Sequence, residues 1–168
     1  MSISMYRASV PVIIHNLKAL TNILAKAQAD LDGRQQEVLD ARLAPDMFCL
    51  LQQLQFLILH AKAAPALLAG VEVPKLSSID REEKTLSEIQ ESIEAAIAYL
   101  KTFKPEQIDG SEQRPVELVT FSGDAIKFTG ERYLLGFALP NLFFHYSMAY
   151  GILRANGLVI GKHDFLGA

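Results

Sequence analysis

The stretch Ala138-Leu-Pro-Asn-Leu-Phe-Phe-His-Tyr-Ser-Met-Ala-Tyr-Gly-Ile-Leu-Arg154 decides how the rest of the chain is read. It is long enough for about four helical turns and almost wholly apolar, yet Asn141 and His145 lie in its interior. Polar groups in such a helix are either hydrogen-bonded within a core or put to use. Asn141 and His145 are four residues apart and share a face, continued by Ala138, Ala149 and Ile152. Pro140 has no N–H and its ring crowds the carbonyl of Gly136, which predicts a tolerated kink beside the two polar residues. The wider run Tyr133 to Leu153 approaches membrane-spanning length. Pro140, Asn141, His145, Ser147 and the lack of basic flanks point instead to a buried bundle helix.

Three further helices are expected upstream. Between Met5 and Leu31, Ile13, Leu17, Leu20, Leu24 and Ala27 form one apolar stripe, with His15, Lys18, Asn22 and Lys26 opposite; Pro11 kinks or delays its start and Asp32-Gly33 stops it. Pro45 suits the first position of a second helix, with Asp46 at its positive end. Met47, Leu50, Leu51, Leu54, Leu57, Ile58 and Ala61 give that helix a broad apolar face as far as Ala64, where Pro65 bends or breaks it before Gly70. The third runs from about Glu82 to Phe103 on Leu86, Ile89, Ile93, Ile97 and Leu100, and Lys104-Pro105 ends it. Val119, Phe121, Ile126 and Phe128 around Ser122-Gly123-Asp124 then read as a short hairpin. The fourth helix spans about Glu131 to Ala155 and stops at Asn156-Gly157, and the apolar tail with Val159, Ile160, Phe165 and Leu166 docks back.

Composition narrows the function classes. Half the residues are hydrophobic and 21% are charged, as in one globular domain. Sixteen basic residues against nineteen acidic ones, net -3, leave no electrostatic footprint for nucleic acid. One cysteine, Cys49, excludes an internal disulfide and reads as a buried thiol in a reducing compartment. No basic segment followed by an apolar core opens the chain, so the cytoplasm is the expected location.

No glycine-rich phosphate loop, CxxC pair, HExxH or GxSxG is present. The four histidines, His15, His60, His145 and His163, are spread over three helices and the tail, without the paired spacing of a metal motif. Asp46, Gln53 and His60 recur every seven residues as a polar seam on the second helix. That seam either lines a cleft shared with His145 or marks the edge between buried and exposed faces.

Several segments carry a family resemblance: Met1-Ser-Ile-Ser-Met-Tyr6, Ala41-Arg-Leu-Ala-Pro-Asp-Met-Phe48, Phe137-Ala-Leu-Pro-Asn141, Phe144-His145, Ala149-Tyr-Gly-Ile-Leu-Arg154 and Ile160-Gly-Lys-His-Asp-Phe-Leu-Gly167. With the order helix, helix, helix, hairpin, helix, the chain resembles the DinB/YfiT-like helical-bundle superfamily, in particular a branch of domains of unknown function. Metal-binding members of that superfamily use one histidine on the second helix and a His-xxx-His pair on the last, and some are thiol-dependent transferases or isomerases. Here His145 resembles the first of the pair, Ala149 stands where the second would be, and the second-helix position falls near Gln53. The resemblance therefore implies the fold without the metal triad.

The resulting expectation is a single all-α domain over residues 1–168, a DinB-like four-helix bundle with a short β-hairpin between the third and fourth helices. It is read as a cytoplasmic homodimer that binds a small molecule or a partner, without metal or cofactor, at a cleft formed by Asn141, His145, Tyr150, Asp46, Gln53 and Arg154. Nucleic acid and membrane are not expected partners. The alternative is a transferase dependent on a thiol or on a divalent metal such as zinc or nickel, its site rebuilt from His145, His60 and Asp46. A third reading is a structural dimer whose polar core only fixes helix register.

Overall fold

Ser4 opens the first helix by accepting a hydrogen bond from the Arg7 N–H, and α1 then runs through Met5–Asp30. In the computed structural model, which describes residues 3–31, 33–73, 84–119 and 123–168, the expected stripe of Ile13, Leu17, Leu20, Leu24 and Ala27 is buried. Pro11 neither delays nor ends α1. Both it and Arg7, whose carbonyl loses its helical donor, are exposed, so water can satisfy that group. Asp32 of the expected stop lies outside the described residues.

A short helix that the periodicity did not announce, α2 (Gln35–Asp40), follows, and the chain then turns through residues 43–47. The second long helix, α3, spans Leu50–Ala69, so Pro45 and Asp46 belong to the preceding turn and not to its first helical positions. The Leu50 N–H donates to the Ala41 carbonyl at 2.9 Å, which closes that turn and fixes the later start, and Gln52 Oε1 accepts from the Cys49 N–H at 3.0 Å. Pro65 does not end α3 either. It is buried within the helix, where packing offsets the lost hydrogen bond, and the stop comes at Gly70, whose φ of +69° is left-handed.

The third long helix, α4 (Leu86–Leu100), is opened by a reciprocal Thr85–Glu88 capping box; the expected start at Glu82 lies outside the described residues. Pro105 begins a further turn of helix, α5 (Pro105–Ile108). Strands β1 (Pro115–Val119) and β2 (Ala125–Thr129) pair antiparallel with Val116 opposite Phe128, while Phe121 and Ser122 lie outside the described residues. The chain is thus mostly helical with one small two-stranded hairpin among the described residues.

After the hairpin the chain stays helical to Ala155 but changes pitch. Helix α6 (Gly130–Tyr133) passes into a π-helical turn over Leu134–Ala138 and then into α7 (Leu139–Ala155). The Leu139 N–H donates five residues back to the Leu134 carbonyl. The expected kink is therefore realised as a widened turn: Pro140 has no proton for the Gly136 carbonyl, and exposed Gly136 leaves that carbonyl open to water.

Helix α3 packs chiefly against α7 and α4, and α1 against α4 and the last helix, α8 (Lys162–Leu166). The tail is held by four anchors. Lys26 pairs with Asp164 at 2.5 Å, His15 Nε2 lies 2.8 Å from the Leu166 carbonyl, the Tyr146 hydroxyl donates to the Phe165 carbonyl, and Arg154 donates to the Ile160 carbonyl at 2.6 Å. Ile160 is buried as expected, but Val159 is exposed. No described helix is long and apolar enough to cross a membrane.

Candidate functional site

Gln53, Phe56 and His60 fall at i, i+3 and i+7 of α3 and share one face of that helix. His145 of α7 meets this face. Its Nδ1 is 2.7 Å from Gln53 Oε1, and its ring lies near-parallel to Phe56 (centroids 5.3 Å apart, planes 14° apart) and to His60 (5.5 Å, 14°). The stack continues outward from Phe56 to Phe48 at 4.8 Å, and Phe144 and Phe137 meet His145 and His60 edge-on. Two imidazoles from different helices thus sit side by side in an aromatic surround.

The amide fixes the tautomer. Gln53 Nε2 donates to the Phe48 carbonyl at 3.3 Å, so Oε1 is the atom facing His145 and can only accept. His145 Nδ1 therefore carries the proton, and Nε2 keeps a lone pair. Neither that nitrogen nor those of His60 has a hydrogen-bond partner among the described residues; His145 is buried and His60 half-buried. Burial pushes His145 down to about 4, and burial together with the neighbouring His145 pushes His60 down to about 4. Both rings are neutral near pH 7, and the pair offers acceptors to a ligand instead of positive charge.

This geometry makes Gln53→Glu a direct probe of the hydrogen bond. A carboxylate at Oε1 favours the imidazolium, so the His145 pKa rises well above about 4 in a histidine NMR titration. A His145 that still titrates at its wild-type position in Gln53→Glu shows that the bond is not made.

The other expected site residues make contacts of their own. Asn141, one turn before His145, turns its Nδ2 back to the Phe137 carbonyl at 2.7 Å and so helps satisfy the widened turn. Asp46 is exposed in the turn before α3; the seven-residue seam does not reach it because the helix begins at Leu50. Tyr150 packs edge-on against Phe165, and Arg154 holds the Ile160 carbonyl, so both serve the C-terminal segment. The sequence reading missed Phe56, although it lies three residues after Gln53 and four before His60 on an amphipathic helix.

A sequence profile described as Domain of unknown function (DUF1993) matches residues 5–166. The chain belongs to the DUF1993 family. A crystal structure of a DinB family member protein from Shewanella denitrificans is 32% identical to this DUF1993 chain; the match covers 97% of this chain and 92% of that one with a TM-score of 0.82, which establishes a DinB-like fold. A search of curated proteins gives no match.

The donor set of this DUF1993 chain can be weighed against the metal site its superfamily resemblance implies. Ala149, fully buried, occupies the turn after His145 where a second imidazole would stand. Nδ1 of His145 is engaged by Gln53, and among the described residues no group of three or more His, Cys, Asp or Glu side chains converges. The described residues therefore do not fit the three-ligand arrangement. Cys49 is buried as the N-cap residue of α3.

Proposed function

We propose that this chain is a four-helix-bundle protein of the cytoplasm that binds a small uncharged molecule, without a metal ion, at the solvent-facing side of His145 and His60. The observation that carries the reading is the Gln53–His145 hydrogen bond, which holds one imidazole in a single tautomer and leaves its Nε2 lone pair to accept from a ligand. Two neutral imidazoles beside the aromatic rings of Phe48 and Phe137 favour a planar donor such as a phenol or an amide over an ion. Asn141 lies one helical turn away and supplies a further polar group at the edge. The lone buried thiol suits a reducing compartment.

Saturation-transfer NMR with phenol, benzoate and benzylamine as probes tests this. Phenol is expected to bind the wild type, to bind His145→Ala at least about tenfold more weakly, and to outcompete both charged probes. Phenol binding that is unchanged in His145→Ala removes His145 from the site.

The rival reading is a divalent-metal-dependent transferase, and the observation in its favour is the approach of His60 and His145 from two helices. Elemental analysis of protein purified without a histidine tag separates the two. Stoichiometric zinc or nickel that is lost in His145→Ala supports the transferase and overturns the metal-free reading.

A further inference from the structure

We infer that the C-terminal segment 161–168 is a detachable strap across α1 and α7, and that its seating sets the presentation of His145. Helix α7 works on two sides. His145 meets Gln53 of α3, while Tyr146 and Tyr150, one turn apart on a neighbouring face, meet the strap. Tyr146 is fully buried, stacks on Phe165 at 4.2 Å and donates its hydroxyl to the Phe165 carbonyl at 2.9 Å; Tyr150 meets the same ring edge-on. The face of α1 that reads as polar supplies the other contacts. His15 Nε2 donates to the Leu166 carbonyl, Lys26 pairs with Asp164, and Gly167 lies against His15 and Ala19. Helix α1 packs on α8 more than on α7, so it reaches α7 chiefly through the strap.

The seating is specific yet shallow. A Cβ at Gly167 would stand 3.1 Å from Ala19 Cβ and 3.3 Å from His15 Cε1, and the left-handed φ of +69° there also favours glycine. Asp164 both pairs with Lys26 and accepts from the Gly161 N–H at 2.7 Å, so one carboxylate closes the first turn of α8 and ties it to α1. Against this, no residue of α8 is buried, so short a helix does not persist by itself, and the tie is an ion pair at the surface. Ile160, buried and held by Arg154, is a fixed root. An element held in this way opens locally while the core stays folded. Its release takes support from one side of α7. A side chain standing about 5–6 Å from its helix axis moves by about 1 Å when the helix turns by about 10°. The 2.7 Å contact of His145 Nδ1 with Gln53 then leaves the hydrogen-bond range, and the imidazole loses its fixed tautomer.

Nitrogen-15 NMR of the full chain tests both parts. Amide exchange at Phe165 and Ala168, whose N–H groups donate to the Gly161 and His163 carbonyls, reads the seating, and the ring-nitrogen shifts of His145 read its tautomer. Gly167→Val and Asp164→Lys, both outside α3 and α7, are expected to speed that exchange at least about tenfold and to replace the single Nδ1–H signature with averaged shifts. Glu94→Lys on the exposed side of α4 leaves both unchanged. In the wild type, about 1 M salt, with a Debye length of about 3 Å, is expected to speed the same exchange, which keeps the test open should a variant not fold. Amides that stay protected in both variants and in salt overturn the strap, and released amides beside an unchanged His145 overturn the coupling. Control of ligand binding rests additionally on the proposed site: phenol is expected to bind Gly167→Val at least about tenfold more weakly. Equal phenol binding in a variant with an altered tautomer overturns that control, whereas a wild type that binds no phenol removes the ligand site and leaves the strap and its coupling standing.

Discussion

Between about pH 6.5 and pH 4 the fold loses stability steeply, because two histidines must take up protons that the folded state resists. His145 and His60 are pushed from an ordinary value of 6.5 down to about 4, while in the unfolded chain both titrate normally. In that window the unfolded state binds more protons than the folded one, so stability rises with pH and falls with acid. The contribution is fully present above about 6.5 and is lost as the pH drops through about 4, at up to about 3 kcal/mol per ring. Carboxylates held low, such as Asp164 beside Lys26, lose their interactions at lower pH and do not produce this slope. Urea unfolding followed by circular dichroism at several pH values measures it. His60→Gln is expected to reduce the slope by about half. A flat stability profile across the window, or a His60→Gln profile that superimposes on the wild type, shows that the pair is not neutral and buried in solution.

Gly130→Ala is expected to destabilise the protein by about 2–4 kcal/mol, lowering Tm by roughly 5–15 °C. A Cβ at Gly130 would stand 2.0 Å from the Ser111 carbonyl oxygen and 3.5 Å from Leu68 Cδ2, and a backbone carbonyl cannot rotate away as a side chain can. The close approach is enforced on both sides. The Gly130 N–H donates to the Arg114 carbonyl at 2.9 Å and the Glu131 N–H to the Glu112 carbonyl at 3.0 Å, while Arg114 holds the Leu68 carbonyl of α3. Relief of the clash must therefore lift the turn at 111–114 off α3. Gly136→Ala is the matched control, since nothing lies within 4 Å of its added Cβ and its backbone is helical. Calorimetry that finds the two variants equally stable would show that the 111–130 contact is looser than described.

The apolar stripes were legible because helical period and burial agree. Ile13, Leu17, Leu20 and Leu24 of α1, Leu50, Leu54 and Leu57 of α3, and Leu86, Ile89 and Ile93 of α4 all face the core. The prolines were less legible. Pro11, Pro65 and Pro140 each signal a local interruption, yet the first two lie within intact helices and the third produces a π turn. What becomes of a missing hydrogen bond depends on whether water or packing attends the freed carbonyl, and the local sequence does not specify that.

The candidate site was legible in half. Asn141 and His145 stood out because polar groups are conspicuous in an apolar run, and Gln53 and His60 because they share a helical face. Their pairing across helices, and the contacts of Tyr150 and Arg154 with the C-terminal segment, were not. The sequence by itself determined that the chain is helical, which faces are apolar, and that one histidine is embedded in the last long helix, since these follow from periodicities of a few residues. Only the tertiary structure decided that Gln53 lies 2.7 Å from His145 and that His60 stacks beside it. Those contacts join residues 92 and 85 positions apart, and they depend on the relative rotation of α3 and α7, which packing of the whole core sets and no local pattern encodes.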